Sequence, residues 1–486
     1  MDSSSRTKAS HFAVSRPLIF FSALFLVVTL TRLCHTSILW PEEDLPLAAA
    51  MQMRDGRMLY GEVWFDKPPL LPALYLLWNA EDGVALRLAG ALYMLFACGL
   101  AWRFALDLWG EREAFWSAGL MAFFLTFDTP AVVMPLAADL TMLVPHLAAV
   151  YFAFRRNSFW SGLFAGLAFL TNAKGLMVLV VCAIWNPAGI PLLLAGFAVP
   201  NALSFVWLFA NGAWTAYIQQ VWEWPRVYAQ DTFLENPMAT GLTRSINWLG
   251  FHAVLAVAAA ISLFRREVDD RWKWAAWIVL SFSVAALGLR FFPRYFLQAL
   301  PALVLLGARG LSMLQISRRP AFAAVVLLLV VPLIRFGPRY GLLAADLFSG
   351  RDHEWSDVAM DRDSQRAAFQ LRRLADPDET LLVWGFRPEF FVYSGLQPAS
   401  RFLESQPLTG VAADRHLNHS RPQIPELASA NRRELAKTKP VWIVDGLGPY
   451  NPALAITSFP DLKEWLKDYE IAFQTKGSVV YHRNSP

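Results

Sequence analysis

Between positions 17 and 338 this chain is a succession of apolar blocks separated by short polar turns. That pattern decides the fold class before any motif does. A block of about 20 apolar residues is what a helix needs to cross a bilayer, and in lipid every backbone polar group must be satisfied within the segment itself. Composition agrees: 56% of the residues are hydrophobic and only 17% are charged. Soluble domains are about 25% charged. The reading is a mainly α, polytopic membrane protein. About 11 spans are expected, over 17–36, 84–107, 113–128, 133–154, 159–172, 174–187, 188–210, 246–264, 274–289, 296–314 and 320–338.

The N-terminus has a signal-peptide outline, with Arg6, Lys8 and Arg16 ahead of an apolar stretch. Arg32 and the lack of a small-residue cleavage site favour a first transmembrane helix. Cys34, Cys98 and Cys182 all lie in or beside apolar runs, without the spacing of a disulfide framework or a cysteine metal site. The net charge of +4 comes from scattered clusters with no basic face, so no nucleic-acid partner is expected.

Orientation follows from Lys and Arg. With a cytoplasmic N-terminus, the basic turns "FRRN" (154–157), "FRREVDDRWK" (264–273) and "SRRP" (317–320) all fall inside. The loop over 37–83 then falls outside, with three basic residues against eight acidic ones. The same topology places the entry to span four before Asp139, the Trp-rich loop 211–245 and everything after about 340 outside.

From about 345 the composition becomes that of a soluble domain. Strands are expected at 380–385, 440–446, 471–475 and 478–482, and helices at 364–375, 425–437 and 459–469. These make a small C-terminal α/β domain over 345–486, following a membrane domain over 1–344. No glycine-rich phosphate loop opens any of its helices.

The first outer loop opens with "WPEED" (40–44). A short helix is expected over 45–56, stopped by Gly56, and a second over 68–78, opened by proline. Both read as helices lying in the membrane interface, anchored by Tyr60, Trp64, Tyr75 and Trp78. The stretch "PEEDLPLAAAMQMRDGRMLYGEVWFDKPPLLPAL" resembles the first periplasmic loop of the GT-C glycosyltransferases. The likeness is greatest to the branch holding the lipid A aminoarabinose transferases and the protein O-mannosyltransferases. That branch shows an acidic pair, an alanine-containing helix ending in glycine, a tyrosine and Lys-Pro-Pro. Here these map to Glu42 and Glu43, Gly56, Tyr60, and Lys67, Pro68 and Pro69. Two positions depart from the pattern: Glu42 stands where Asp is usual, and Pro46 where tyrosine often stands. Asp139 in "PLAADLTMLVPHLAAVYFA" resembles the second acidic site of the family. Lys174 in "GLFAGLAFLTNAKGLMVL" resembles its turn lysine. "RFFPRYFLQALPALVLLGARGL" resembles the late basic-Tyr-Leu-Pro segment, with Arg290, Arg294 and Tyr295.

The resemblance implies an inner-membrane enzyme acting on its outer face. It would move a sugar from a polyprenyl-phosphate donor to a lipid, glycan or protein acceptor, with inversion. An acceptor hydroxyl needs a base, and a carboxylate serves. A leaving phosphate needs fixed cations. Glu42, Glu43 and Asp139 are the expected catalytic acids. Lys67, Tyr60, Lys174, Arg290, Arg294 and Tyr295 are the expected donor contacts. No His or Asp cluster has metal-site spacing, but paired acids are able to hold a divalent cation, and Glu43 with Asp139 is the pair to test. The rival class, a multi-pass transporter, calls for midplane charges and internal repeats. The charges here gather at the outer ends of the helices.

Overall fold

The computed structural model describes residues 4–484 except 231, 233, 266–267, 315–318, 352, 354, 412–416 and 418. Arg266 and Glu267 of one expected inner turn, and Ser317 and Arg318 of another, lie outside the described residues. The chain is predominantly helical, with one small sheet near its C-terminus.

Among the described residues, five helical stretches are long and apolar enough to cross a bilayer: Arg16–Leu33, Gly83–Leu108, Pro187–Ala210, Pro293–Met313 and Pro320–Ser349. This is a membrane protein, but its spans are less uniform than expected. The expected span 246–264 is two helices, Pro237–Phe251 and Ala253–Phe264, meeting at 87° at His252. The expected spans 113–128, 159–172, 174–187 and 274–289 appear as the short helices Glu111–Phe124, Ser158–Thr171, Leu176–Trp185 and Arg271–Ala285.

Gly83–Leu108 shows how such a helix is held. Its buried residues include Gly90, Ala91, Ala97, Cys98, Ala101 and Ala105. Small side chains on that stripe let it approach Ser4–Leu33 and Glu111–Phe124 closely. Its other face leaves Val84, Leu92 and Phe96 exposed, as lipid contact requires. Pro320–Ser349 is only 11% buried over its most apolar window. It continues to Ser349, past the expected domain boundary at 344/345.

The C-terminal sheet contains β1 (Thr380–Trp384), β2 (Gln397–Pro398), β3 (Trp442–Asp445), β4 (Tyr469–Gln474) and β5 (Val479–Arg483), in the order β2-β1-β3-β5-β4. β1 pairs parallel with β2 and β3, and β5 pairs antiparallel with β3 and β4. β1 and β3 are the apolar runs "TLLVW" and "WIVD", buried almost throughout. Helices Ala359–Leu374 and Pro425–Leu435 match the sequence expectation. The expected helix 459–469 is instead two short 3₁₀ turns, Pro460–Leu462 and Trp465–Asp468. The eight residues between Pro460 and β4 are too few to sustain an isolated α-helix, and burial of Leu462 fixes the segment instead.

The loop over 37–83 packs against residues near the C-terminus. Helix Asp44–Arg54 ends before Gly56, which takes the left-handed φ of +88° that a helix stop favours. Leu45 to Ala50 are all buried, so this helix is enclosed by protein instead of resting in the membrane interface. It packs on the short helices Leu70–Tyr75 and Glu389–Ser394. Residues near the C-terminus hold this loop at two points. Gln365 Nε2 donates to the Ser37 carbonyl at 2.7 Å, and Trp64 N–H donates to the Arg401 carbonyl at 2.7 Å.

Candidate active site

The turn at residues 40–45 aims two adjacent carboxylates in different directions. Glu42 has φ of 75°, a region costly for a side-chain-bearing residue. Asp44 holds it there: its Oδ1 accepts from Glu42 N–H at 2.9 Å and from Leu45 N–H at 2.8 Å. Glu43 turns inward and is fully buried. Its Oε1 accepts from Arg87 Nη2 at 2.5 Å and from Trp40 N–H at 2.9 Å, and its Oε2 accepts from Arg87 Nη1 at 3.1 Å. Arg87 in turn donates to the carbonyls of His35 and Ile38. Glu42 turns outward and stays partly exposed. Its Oε1 lies 2.9 Å from Arg294 Nη2, and its Oε2 lies 4.0 Å from Lys67 Nζ.

Lys67 is delivered by the rest of that loop. Pro68 and Pro69 fix the backbone ahead of helix Leu70–Tyr75. Tyr60 is also left-handed, at φ 67°, and its buried hydroxyl donates to the Lys67 carbonyl at 2.7 Å. Tyr60 therefore holds the lysine backbone. Lys67 Nζ donates to Asp66 at 2.8 Å. Burial pulls the Lys67 pKa down, but Asp66 and Glu42 outweigh it and hold the ammonium well above its usual range.

Asp139 completes the acidic side from helix Ala138–Thr141. Its Oδ1 accepts from Lys174 Nζ at 2.9 Å and from Asn172 Nδ2 at 3.2 Å, and Arg294 Nε lies 3.8 Å from its Oδ2. Arg294 thus stands between Glu42 and Asp139. Lys174 Nζ also lies 3.1 Å from the centre of the Tyr295 ring, a close cation–π contact. A buried chain fixes the Asp139 backbone. Trp277 donates to His146 Nε2 at 2.9 Å, His146 Nδ1 meets Gln298 Oε1 at 3.0 Å, and Gln298 Nε2 donates to the Asp139 carbonyl at 2.7 Å. Because the Trp277 indole can only donate, His146 Nδ1 carries the proton in this chain.

Four distant stretches of sequence therefore meet at one partly exposed spot. Glu42, Lys67, Asp139, Lys174, Arg294 and Tyr295 come together there. Glu43 stands behind the site, bound to Arg87, and Tyr60 supports Lys67 from below. Arg290 is buried four residues before Arg294, and its carbonyl accepts from Arg244 at 2.7 Å. Among the described residues no group of three or more His, Cys, Asp or Glu side chains is disposed to hold a metal ion. Glu43 and Asp139 fit a divalent cation poorly, since each carboxylate already faces cationic side chains.

Sequence reasoning passed over Arg87, Asp66, Asn172, His146 and Gln298. An arginine one turn into an apolar helix is a signal for Arg87, because burying it demands a partner. Asn172 and Gln298 carried no signal outside the fold.

No family model matches the chain, and no curated protein matches it in sequence. In structure it is similar to ArnT from Cupriavidus metallidurans bound to undecaprenyl phosphate. The identity is 16% and the TM-score 0.61, over 96% of this chain and 99% of that one. The apo state of ArnT from the same organism aligns at 16% identity and a TM-score of 0.60, over 98% of this chain and 100% of that one. At that identity the likeness establishes architecture: the chain is built on the GT-C membrane fold that its first outer loop resembles.

Proposed function

We propose that this protein is a glycosyltransferase that takes a sugar from a polyprenyl-phosphate donor and passes it to an acceptor hydroxyl at the outer face of the membrane. The observation that carries the reading is the interleaving of Lys67, Lys174 and Arg294 with Glu42 and Asp139 at a site still open to solvent. The fold is shared with a protein solved bound to undecaprenyl phosphate. The N-terminus would be cytoplasmic and the C-terminal domain extracytoplasmic.

In this account the donor phosphate seats against Lys67 and Arg294. Its arrival draws those cations from Glu42, whose carboxylate then accepts the acceptor's proton. The acceptor oxygen forms its bond to the anomeric carbon as the bond from that carbon to the phosphate oxygen breaks. The electron pair leaves with polyprenyl phosphate, and the fixed cations stabilise the charge that develops there. A single displacement inverts the anomeric centre. Asp139 positions Lys174 and Arg294. Glu43 is reserved for holding Arg87 and the turn.

Purified protein in nanodiscs, given a radiolabelled polyprenyl-phosphate sugar and an envelope acceptor mixture, tests the reading. Label should move to the acceptor fraction and be lost in Lys67→Ala. Solute flux without label transfer would favour the transporter class instead.

A further inference from the structure

The loop carrying Lys67 is braced by a residue outside the charged cluster. Gln220 is fully buried in a single π-turn, Ile218–Glu223, of the Trp-rich outer segment. Such turns are rare and often mark functional positions. Its side-chain amide bridges both ends of one short loop. Gln220 Nε2 donates to the Tyr60 carbonyl at 2.8 Å, and Phe65 N–H donates to Gln220 Oε1 at 2.9 Å. Between those ends the loop closes on itself through Tyr60 N–H to the Val63 carbonyl at 2.8 Å. Two aromatic contacts set the same segment against the same loop: Tyr217 on Tyr60 at 5.2 Å and Trp224 on Trp64 at 6.0 Å. Tyr60 holds the Lys67 carbonyl, and Phe65 lies two residues before Lys67.

We infer that Gln220 is a positioning residue for the donor-phosphate contact, fixing the height and direction of Lys67 from the second outer segment. This rests on the proposed role of Lys67. A primary amide supplies one donor and one acceptor on a common plane. That is what the Tyr60 carbonyl and the Phe65 N–H require. With an apolar side chain in its place both groups lose their partner, and the left-handed backbone at Tyr60 loses a restraint.

The test uses the full chain in nanodiscs with undecaprenyl phosphate as the probe. Gln220→Leu should weaken its binding by on the order of tenfold. Gln220→Glu isolates positioning from folding within one protein. A neutral carboxylic acid offers the same donor and acceptor as the amide, whereas the ionised form offers only acceptors to the Tyr60 carbonyl. Burial favours the neutral form. Relative to wild type at the same pH, Gln220→Glu should bind normally near about pH 5.5 and lose on the order of tenfold near about pH 8.5. Lys67→Ala should stay weak at both. Wild-type binding by Gln220→Leu, or a Gln220→Glu ratio that does not change with pH, overturns the positioning role while leaving Lys67 in place. Wild-type binding by Lys67→Ala overturns the donor-contact reading beneath it.

Discussion

Glu42 and Glu43 are consecutive in the chain but face different cations: Glu42 lies 2.9 Å from Arg294 at the site, and Glu43 lies 2.5 Å from Arg87 in the interior. One left-handed residue separates a candidate base from a structural ion pair.

Breaking the interior pair should damage folding. Both Glu43 and Arg87 are buried, so Glu43→Ala strands a guanidinium away from water. Removing one partner of such a pair costs about 3–5 kcal/mol, whereas replacing both with apolar groups is often neutral. Thermal unfolding should show a large loss for Glu43→Ala and a partial recovery in Glu43→Met/Arg87→Met. Equal melting of Glu43→Ala and wild type would remove the structural assignment.

Asp44 should matter for aim. It accepts the Glu42 and Leu45 N–H groups that hold the strained turn. Asp44→Ala should lower kcat by roughly tenfold through loss of these hydrogen bonds, and Asp44→Asn should recover most of it because its carbonyl oxygen still accepts. If Asn and Ala behaved alike, the turn would not depend on this acceptor.

The cationic half should be read most clearly in binding. Lys67→Ala and Arg294→Ala should each weaken undecaprenyl phosphate binding by about 10- to 100-fold, the range for hydrogen bonds to charged groups. Arg294→Lys should rescue poorly, since Arg294 faces both Glu42 and Asp139 and an ammonium lacks the planar fork to do so.

A pH-dependent contribution to stability should arise where helix Ala359–Leu374 meets the loop over 37–83. Asp361 accepts from Tyr393 Oη at 2.5 Å and from Gln365 Nε2 at 2.8 Å, and Gln365 also reaches the Ser37 carbonyl. Burial, partly opposed by the Tyr393 hydrogen bond, raises the Asp361 carboxyl to about 7. An unfolded aspartate releases its proton near about 3.9, so between the two values the folded state holds a proton that the unfolded state has lost. Stability from this group therefore falls as pH rises through that window, by at most about 4 kcal/mol, and levels off above it. Melting temperatures at about pH 5 and about pH 8 should differ more for wild type than for Asp361→Asn, which carries no titrating proton. Parallel pH profiles would contradict this.

The first outer loop was legible because its constraints are local. Gly56 must follow a helix, Lys67-Pro68-Pro69 must precede one, and both expectations match the structure within a residue or two. The separation of Glu42 from Glu43 was not legible, because it depends on Arg87, which sits 44 positions along the chain from Glu43. Gln220 gave no sequence signal either: a glutamine among tryptophans becomes a brace only once Tyr60 and Phe65 are beside it. The span pattern was blurred for a different reason. Hydropathy measures how apolar a run is, but not whether it bends, and the turn at His252 breaks one expected span through nearly a right angle. The same blindness made the buried helix Asp44–Arg54 read as interfacial. An alanine-rich helix looks alike in lipid headgroups and under a covering domain.

In the proposed mechanism Glu42, not Glu43, takes the acceptor's proton. The most direct measurement is single-turnover transfer from a radiolabelled polyprenyl-phosphate sugar, with undecaprenyl phosphate binding recorded on the same samples. Glu42→Gln should bind the lipid phosphate yet lose roughly 100- to 10,000-fold in rate, the range for a positioned general base. Glu43→Gln, corrected for its folded fraction, should retain most of the rate. Wild-type transfer by Glu42→Gln would contradict the account.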